Sequence, residues 1–310
     1  MGTKVLSRRI KVAYSAPALA LAAIALVLNA YLPKFYTDAM GVRVGFVAAI
    51  MVAARLFDAV TDPLIGVLSD RTPGPWGRRR PWILAASLPL ALTFTMLLIP
   101  AWRGGVGAET WMVSLVFAVT LFWTALSIPY EALGAALSED YEERTDLFGL
   151  REVFLLIGTV LAAASPVIVR ALLGLSMSPD DQIVQFRAIA WLWAAITLLL
   201  SVGCALLVPE PRAAAVHRRV ELWGIVRETV ANRSFRILLI AYTVAAFGNH
   251  LPATMVLYYT QYVLETTHGD KILLLYLVVA ISAMPIWIRI AHRHGKKAAW
   301  LAAMAMTVAV

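Results

Sequence analysis

The feature that most constrains this chain is a succession of long apolar stretches, at 12–34, 44–68, 82–101, 111–136, 152–174, 188–208, 236–263 and 271–291. Each has about 20 residues or more, enough to cross ~30 Å of hydrocarbon at ~1.5 Å per residue. A ninth opens at 298 and runs to 310. Lipid offers no partner to a bare peptide group, so such stretches must be helices. The expected fold class is an all-α polytopic membrane protein. Composition agrees, with 61% hydrophobic and 15% charged residues, against about 25% charged in average soluble domains. Soluble enzymes, secreted scaffolds and disordered chains are excluded.

The charge of +8 would suggest nucleic acid in a soluble protein, but its distribution argues for a membrane. With the N-terminus inside and the spans alternating, 20 of the 27 basic residues fall on the cytoplasmic side. The positive-inside rule therefore predicts a cytoplasmic N-terminus. Anionic inner-leaflet lipid accounts for the basic charge without nucleic acid. The expected location is a cytoplasmic (inner) membrane of bacterial type, with membrane lipids and a small-molecule solute as partners and a monomeric assembly. The apolar run from Val12 is longer than a signal-peptide core, so it reads as a retained first helix. Cys204 is the only cysteine and reads as a packing residue.

Six spans joined by short loops form a first bundle, residues 1–208. A polar linker, 209–235, carries PEPR and HRR, and its stretch Val220–Val230 suits an amphipathic surface helix. An incomplete second bundle, helices 7–9, occupies 236–310. GRRRPW (Gly77–Trp82) and GKKAAW (Gly295–Trp300) both follow the second span of their half, as a faint internal repeat. Parallel six-helix repeats are the plan of major facilitator transporters.

Within the second span, Arg55, Asp58 and Asp62 are spaced i, i+3, i+7 and share one helical face. Two carboxylates at membrane depth are costly unless the face is wet and a cation lies between them. Na⁺ and H⁺ are both plausible occupants; a purely structural Arg55–Asp58 pair is the alternative. Pro63 and Gly66 allow a kink and a close helix approach. Asp70, Arg71, Arg78, Arg79 and Arg80 suit a cytoplasmic latch whose ion pairs remake as the halves move, besides serving topology. The acidic loop Glu139, Asp140, Glu142, Glu143, with Arg144, is expected to pair with Arg78–Arg80. Glu131 is the sole ionisable residue of the fourth span, suited to proton carriage, solute contact or snorkelling. Arg151 opens the fifth helix within reach of an anionic or hydroxylated solute. Asn29, Asn249 and His250 are further polar residues within spans, and Tyr258, Tyr259 and Tyr262 read as an interfacial belt. No phosphate-binding loop, zinc-protease or hydrolase motif is present. The expectation is therefore no enzyme and no cofactor beyond a coupling ion.

DAVTDPLIGVLSDRTPGPWGRRRPWIL (Asp58–Leu84), IPYEALGAALSEDYEERTDLFGLREVF (Ile128–Phe154) and WIRIAHRHGKK (Trp287–Lys297) together resemble the signatures of one family. It is the glycoside–pentoside–hexuronide:cation symporters of the major facilitator superfamily, the melibiose-permease type. The resemblance implies a major facilitator fold and cation-coupled symport of a small solute by alternating access. It implies that Asp58 and Asp62 bind the cation with Thr124, with Na⁺ an admissible metal. It also implies that Arg151, Ser127, Tyr130 and Glu131 lie at the solute. Asn249 and His250 are solute candidates from their place within a span, with a hydrogen-bonded core histidine as the alternative for His250, and Arg55, Asp70, Arg71, Arg78–Arg80, Glu139, Asp140 and Arg144 are gating candidates on the latch reading. Two departures stand out. The first helix has no acid, and the fourth has Ser127 and Glu131 where melibiose-type carriers have Asp and Trp. Galactoside specificity is therefore not implied. The same branch includes sodium-dependent lysophospholipid carriers, which keeps an amphipathic solute as an alternative. A plan of six spans plus three also admits a truncated or degenerate carrier without transport, and an uncoupled facilitator.

Overall fold

A computed structural model describes residues 6–72, 74–176, 178–210, 231–233, 235–237, 240–241, 256–266 and 268–309. Within them run six long helices: α1 (Arg8–Asp38), α2 (Val44–Arg71), α3 (Arg80–Leu98), α4 (Gly105–Leu137), α5 (Tyr141–Leu173) and α6 (Pro179–Leu207). All six are long and apolar enough to cross a membrane. Residues 256–262 are helical, and α7 (Gly269–His294) and α8 (Lys296–Ala309) follow. The all-α membrane architecture expected from the sequence is present. Val220–Val230, Asn249 and His250 lie outside the described residues.

Helix ends follow local chemistry. Asp140 caps α5 by accepting a hydrogen bond from the Glu143 N–H (2.9 Å), and Glu142 and Glu143 place negative charge in its first turn. That start lies well before the expected 152, so Arg144 and Arg151 sit inside the helix. The apolar pattern marks only the lipid-spanning part of a helix whose cap lies in the polar loop. Ser178 and Pro179 open α6 in the same way, nine residues ahead of the apolar stretch. Pro17, Pro63, Pro89, Pro129 and Pro166 all lie within helices, as membrane helices tolerate.

Packing follows a ring. α1 lies against α5 and α6, α3 against α4 and α6, and α2 against α4, while α7 packs on α5. The α1–α5 contact depends on Gly158, where an added Cβ would collide with the Leu19 backbone; small residues permit such close approach. Tyr14, Tyr36, Tyr130, Phe94 and Trp193 fill the core, and Cys204 is buried among them. Val52, Leu56, Val60, Leu64 and Leu68 leave an outward apolar stripe along α2.

Candidate functional site

α2 and α4 bring together the carboxylates that the sequence put on one face. Asp62 accepts a hydrogen bond from the Thr124 hydroxyl (2.9 Å), and Thr124 is fully buried. Asp58 lies one turn before Asp62 on the same face of α2. Arg55 pairs with Asp58 through Nη1 (3.4 Å), and its Nη2 donates to Asn29 Oδ1 on α1. Arg55, Asp58 and Asn29 line a cavity of about 120 Å³ with Trp123 and Thr120. The donor set is two carboxylates and a hydroxyl, all oxygen, as hard cations prefer. Formal charges of Arg55, Asp58 and Asp62 leave one negative charge, the complement of a single monovalent cation.

A second cluster lies towards the loop ends of α4 and α5. Arg151 Nη2 donates to Glu131 Oε1 at 2.7 Å, with Arg151 mostly buried and Glu131 about half exposed. The guanidinium sits 5.8 Å from the ring centroids of both Tyr130 and Phe148. Tyr130 stacks on Tyr14 at 4.9 Å, and its hydroxyl donates to the Tyr14 carbonyl (2.9 Å). Arg151 Nε is buried without a partner. Thr124, Ser127 and Glu131 fall on one face of α4, which runs from the first cluster to the second.

The residues expected to latch the cytoplasmic face make both an ion pair and helix-end contacts. Asp70 does pair with Arg79 (3.1 Å), and the Arg78 guanidinium donates to the Asp70 carbonyl (3.2 Å). Arg79 and Arg80, however, give their backbone N–H groups to Glu210. Arg80 also donates to the Ala205 and Leu206 carbonyls at the end of α6. Among the described residues the acidic loop does not pair with Arg78–Arg80 as expected. Glu143 accepts from the Leu6 N–H and from Ser138 and lies near Lys11, Asp140 caps α5, and Arg144 donates to the Ala135 carbonyl. The reason is geometric: α5 packs on α1, so its first turn meets the N-terminus instead of the α2–α3 loop. Arg71 ends α2 and is exposed, as is Glu139.

At the opposite end the structure shows contacts that the sequence did not reveal. Arg170 on α5 pairs with Asp270 of α7 (2.9 Å), with side-chain exposures of 20% and 7%. The Thr37 and Tyr258 hydroxyls lie 3.1 Å apart, so Tyr258 is more than a belt residue. Arg170 and Asp270 line a cavity of about 270 Å³ together with Tyr31, Lys34 and Gln185 among others. A charge at a helix end reads as topology in sequence, and 100 residues separate Arg170 from Asp270.

The comparisons bear on this arrangement. Residues 13–310 match the family model described as MFS/sugar transport protein. The chain belongs to this family. Among relatives of this family member, Uncharacterized symporter sll1374 of Synechocystis sp. is 34% identical over 201 residues, 61% of this chain and 37% of its own. Inner membrane symporter YicJ of Escherichia coli is 29% identical over 238 residues, 76% of this chain and 50% of its own. YagG of Escherichia coli, named provisionally for glycoside/cation symport, is 25% identical over 234 residues, 76% of this chain and 50% of its own. The chain thus spans half or less of the length of these relatives. It is an integral membrane protein of a transporter family, with the glycoside–pentoside–hexuronide type of major facilitator resemblance upheld.

Proposed function

We propose that the protein is a cation-coupled secondary symporter of a small polyhydroxylated solute, of the sugar or glycoside class, working by alternating access. The observation that carries this reading is the α2–α4 site: two carboxylates, one buried hydroxyl and one arginine, short of neutrality by one positive charge. A monovalent cation, Na⁺ or H⁺, completes it. In this reading Glu131 and Arg151 form the solute site, with an exposed carboxylate to accept hydroxyl groups and a guanidinium to donate to ring or hydroxyl oxygens. Tyr130, Tyr14 and Phe148 hold the guanidinium rigid from behind. Ser127 stands between the two sites on α4, so cation and solute act on one helix. Coupling then requires that each raises the affinity for the other by the same factor.

Positive-inside charge puts the N-terminus in the cytoplasm, so the Arg170–Asp270 pair between α5 and α7 and the Thr37–Tyr258 contact between α1 and the helical residues 256–262 close the outer end. The basic residues Arg71 and Arg78–Arg80 then stand on the cytoplasmic face. Relatives named as symporters support the class. The test is uptake of a panel of radiolabelled glycosides into proteoliposomes under an imposed Na⁺ or H⁺ gradient. Accumulation above the outside concentration, lost when the gradient is collapsed, is expected. Equal flux with and without either gradient would mark an uncoupled facilitator, and no flux of any member would reject the solute class.

A further inference from the structure

The π-helical turn at Val27–Tyr31 interrupts α1 beside the acid pair of α2. A π turn inserts one residue into the helical count, rotating the faces on either side by about 100° relative to an unbroken helix. Such turns cluster at functional sites. Here the turn carries Asn29. Its Nδ2 donates to the Ala25 carbonyl (2.7 Å), which fixes the amide orientation and leaves Oδ1 to face Arg55. The guanidinium of Arg55 therefore forks between a neutral acceptor on α1 and the Asp58 carboxylate on α2.

We propose that Asn29 is a second dock for Arg55, holding the guanidinium when a coupling cation takes over Asp58, and so sets the affinity of the acid pair for its cation. The inference rests on the cation-site reading above and names a positioning residue that acts through Arg55. An arginine that released Asp58 into a mostly apolar cavity would lose its charged partner among the described residues, at high cost at membrane depth. Asn29 lowers that cost because one arm of the fork is already bonded to it. The cavity of about 120 Å³ beside Asn29, Arg55 and Asp58 gives the side chain room to swing. A planar fork is needed for the exchange, since a lysine ammonium cannot span both acceptors in that fixed geometry.

The experiment is calorimetric titration of NaCl into the purified full chain in nanodiscs, at constant ionic strength held with choline chloride. Asn29→Leu is expected to weaken Na⁺ binding at least tenfold, and Arg55→Lys, which spares the α1 helix, to weaken it similarly. In an Arg55→Gln background the Asn29→Leu change should alter affinity less than twofold, because Asn29 has nothing left to hold. Unchanged Na⁺ affinity in both Asn29→Leu and Arg55→Lys would overturn the inference. So would a tenfold loss from Asn29→Leu that persists in the Arg55→Gln background. Asp58→Asn separates the two levels: wild-type Na⁺ affinity in that variant, or no Na⁺ binding by the wild type, would reject the metal-cation site itself.

Discussion

At the residue scale, the acid pair was legible because its chemistry is costly. A carboxylate within an apolar span needs a reason, and the i, i+3, i+7 spacing of Arg55, Asp58 and Asp62 supplied one face. Thr124 came from resemblance alone, since a hydroxyl in a helix ordinarily bonds to its own backbone, as Thr61 and Thr197 do here. What hid from the sequence was the partner of Arg55. Asn29 stands 26 residues away and reaches Arg55 only through a π turn that no residue pattern announces. The Glu131–Arg151 pair was half legible: both residues stood out, but their mutual contact depends on α5 extending back to Tyr141. Its role gives a prediction. Arg151→Gln should lower solute affinity at least tenfold while leaving cation binding within about twofold, measured by titrating each ligand separately. Equal loss of both would mean that Arg151 serves the fold and not the solute.

At the element scale, the spans were readable from apolar length, whereas the helix ends were set by polar caps outside those lengths. The two glycine-led loops share one backbone feature. Gly77 and Gly295 both adopt positive φ, 97° and 83°, and each precedes basic residues and the start of a helix, α3 and α8. A glycine suits such a turn because an L side chain would be strained there. The tight α1–α5 approach at Gly158 was not legible because a mid-helix glycine looks ordinary in an apolar run. Gly158→Val should force those helices apart, lowering stability by about 1–3 kcal/mol, the usual cost of overpacking. Thermal unfolding in detergent checks this, and an unchanged midpoint would mean the α1–α5 seam yields without cost. Because α1 carries Asn29 and α5 carries Arg151, the same change should also weaken both ligands.

At the scale of the whole molecule, the ring α5–α1–α6–α3–α4–α2 presents the acid pair and the Glu131–Arg151 pair from α2, α4 and α5, while α7 docks on α5 at the far end. Of the charges expected to latch the cytoplasmic face, Asp70 pairs with Arg79 and Arg80 ties the α2–α3 loop to the end of α6. An ion pair between α5 and α7, Arg170 with Asp270, lies at the opposite end. Topological counting assigns such charges to a side of the membrane but cannot say which of them meet. On the proposed function, the α2 carboxylates convert a cation gradient into solute accumulation. The most direct measurement compares two fluxes in proteoliposomes: gradient-driven net uptake and solute exchange at equal concentrations on both sides. For Asp62→Asn the account predicts that net uptake loses its dependence on the cation gradient while exchange persists. Gradient-driven accumulation at the wild-type level in that variant would contradict it.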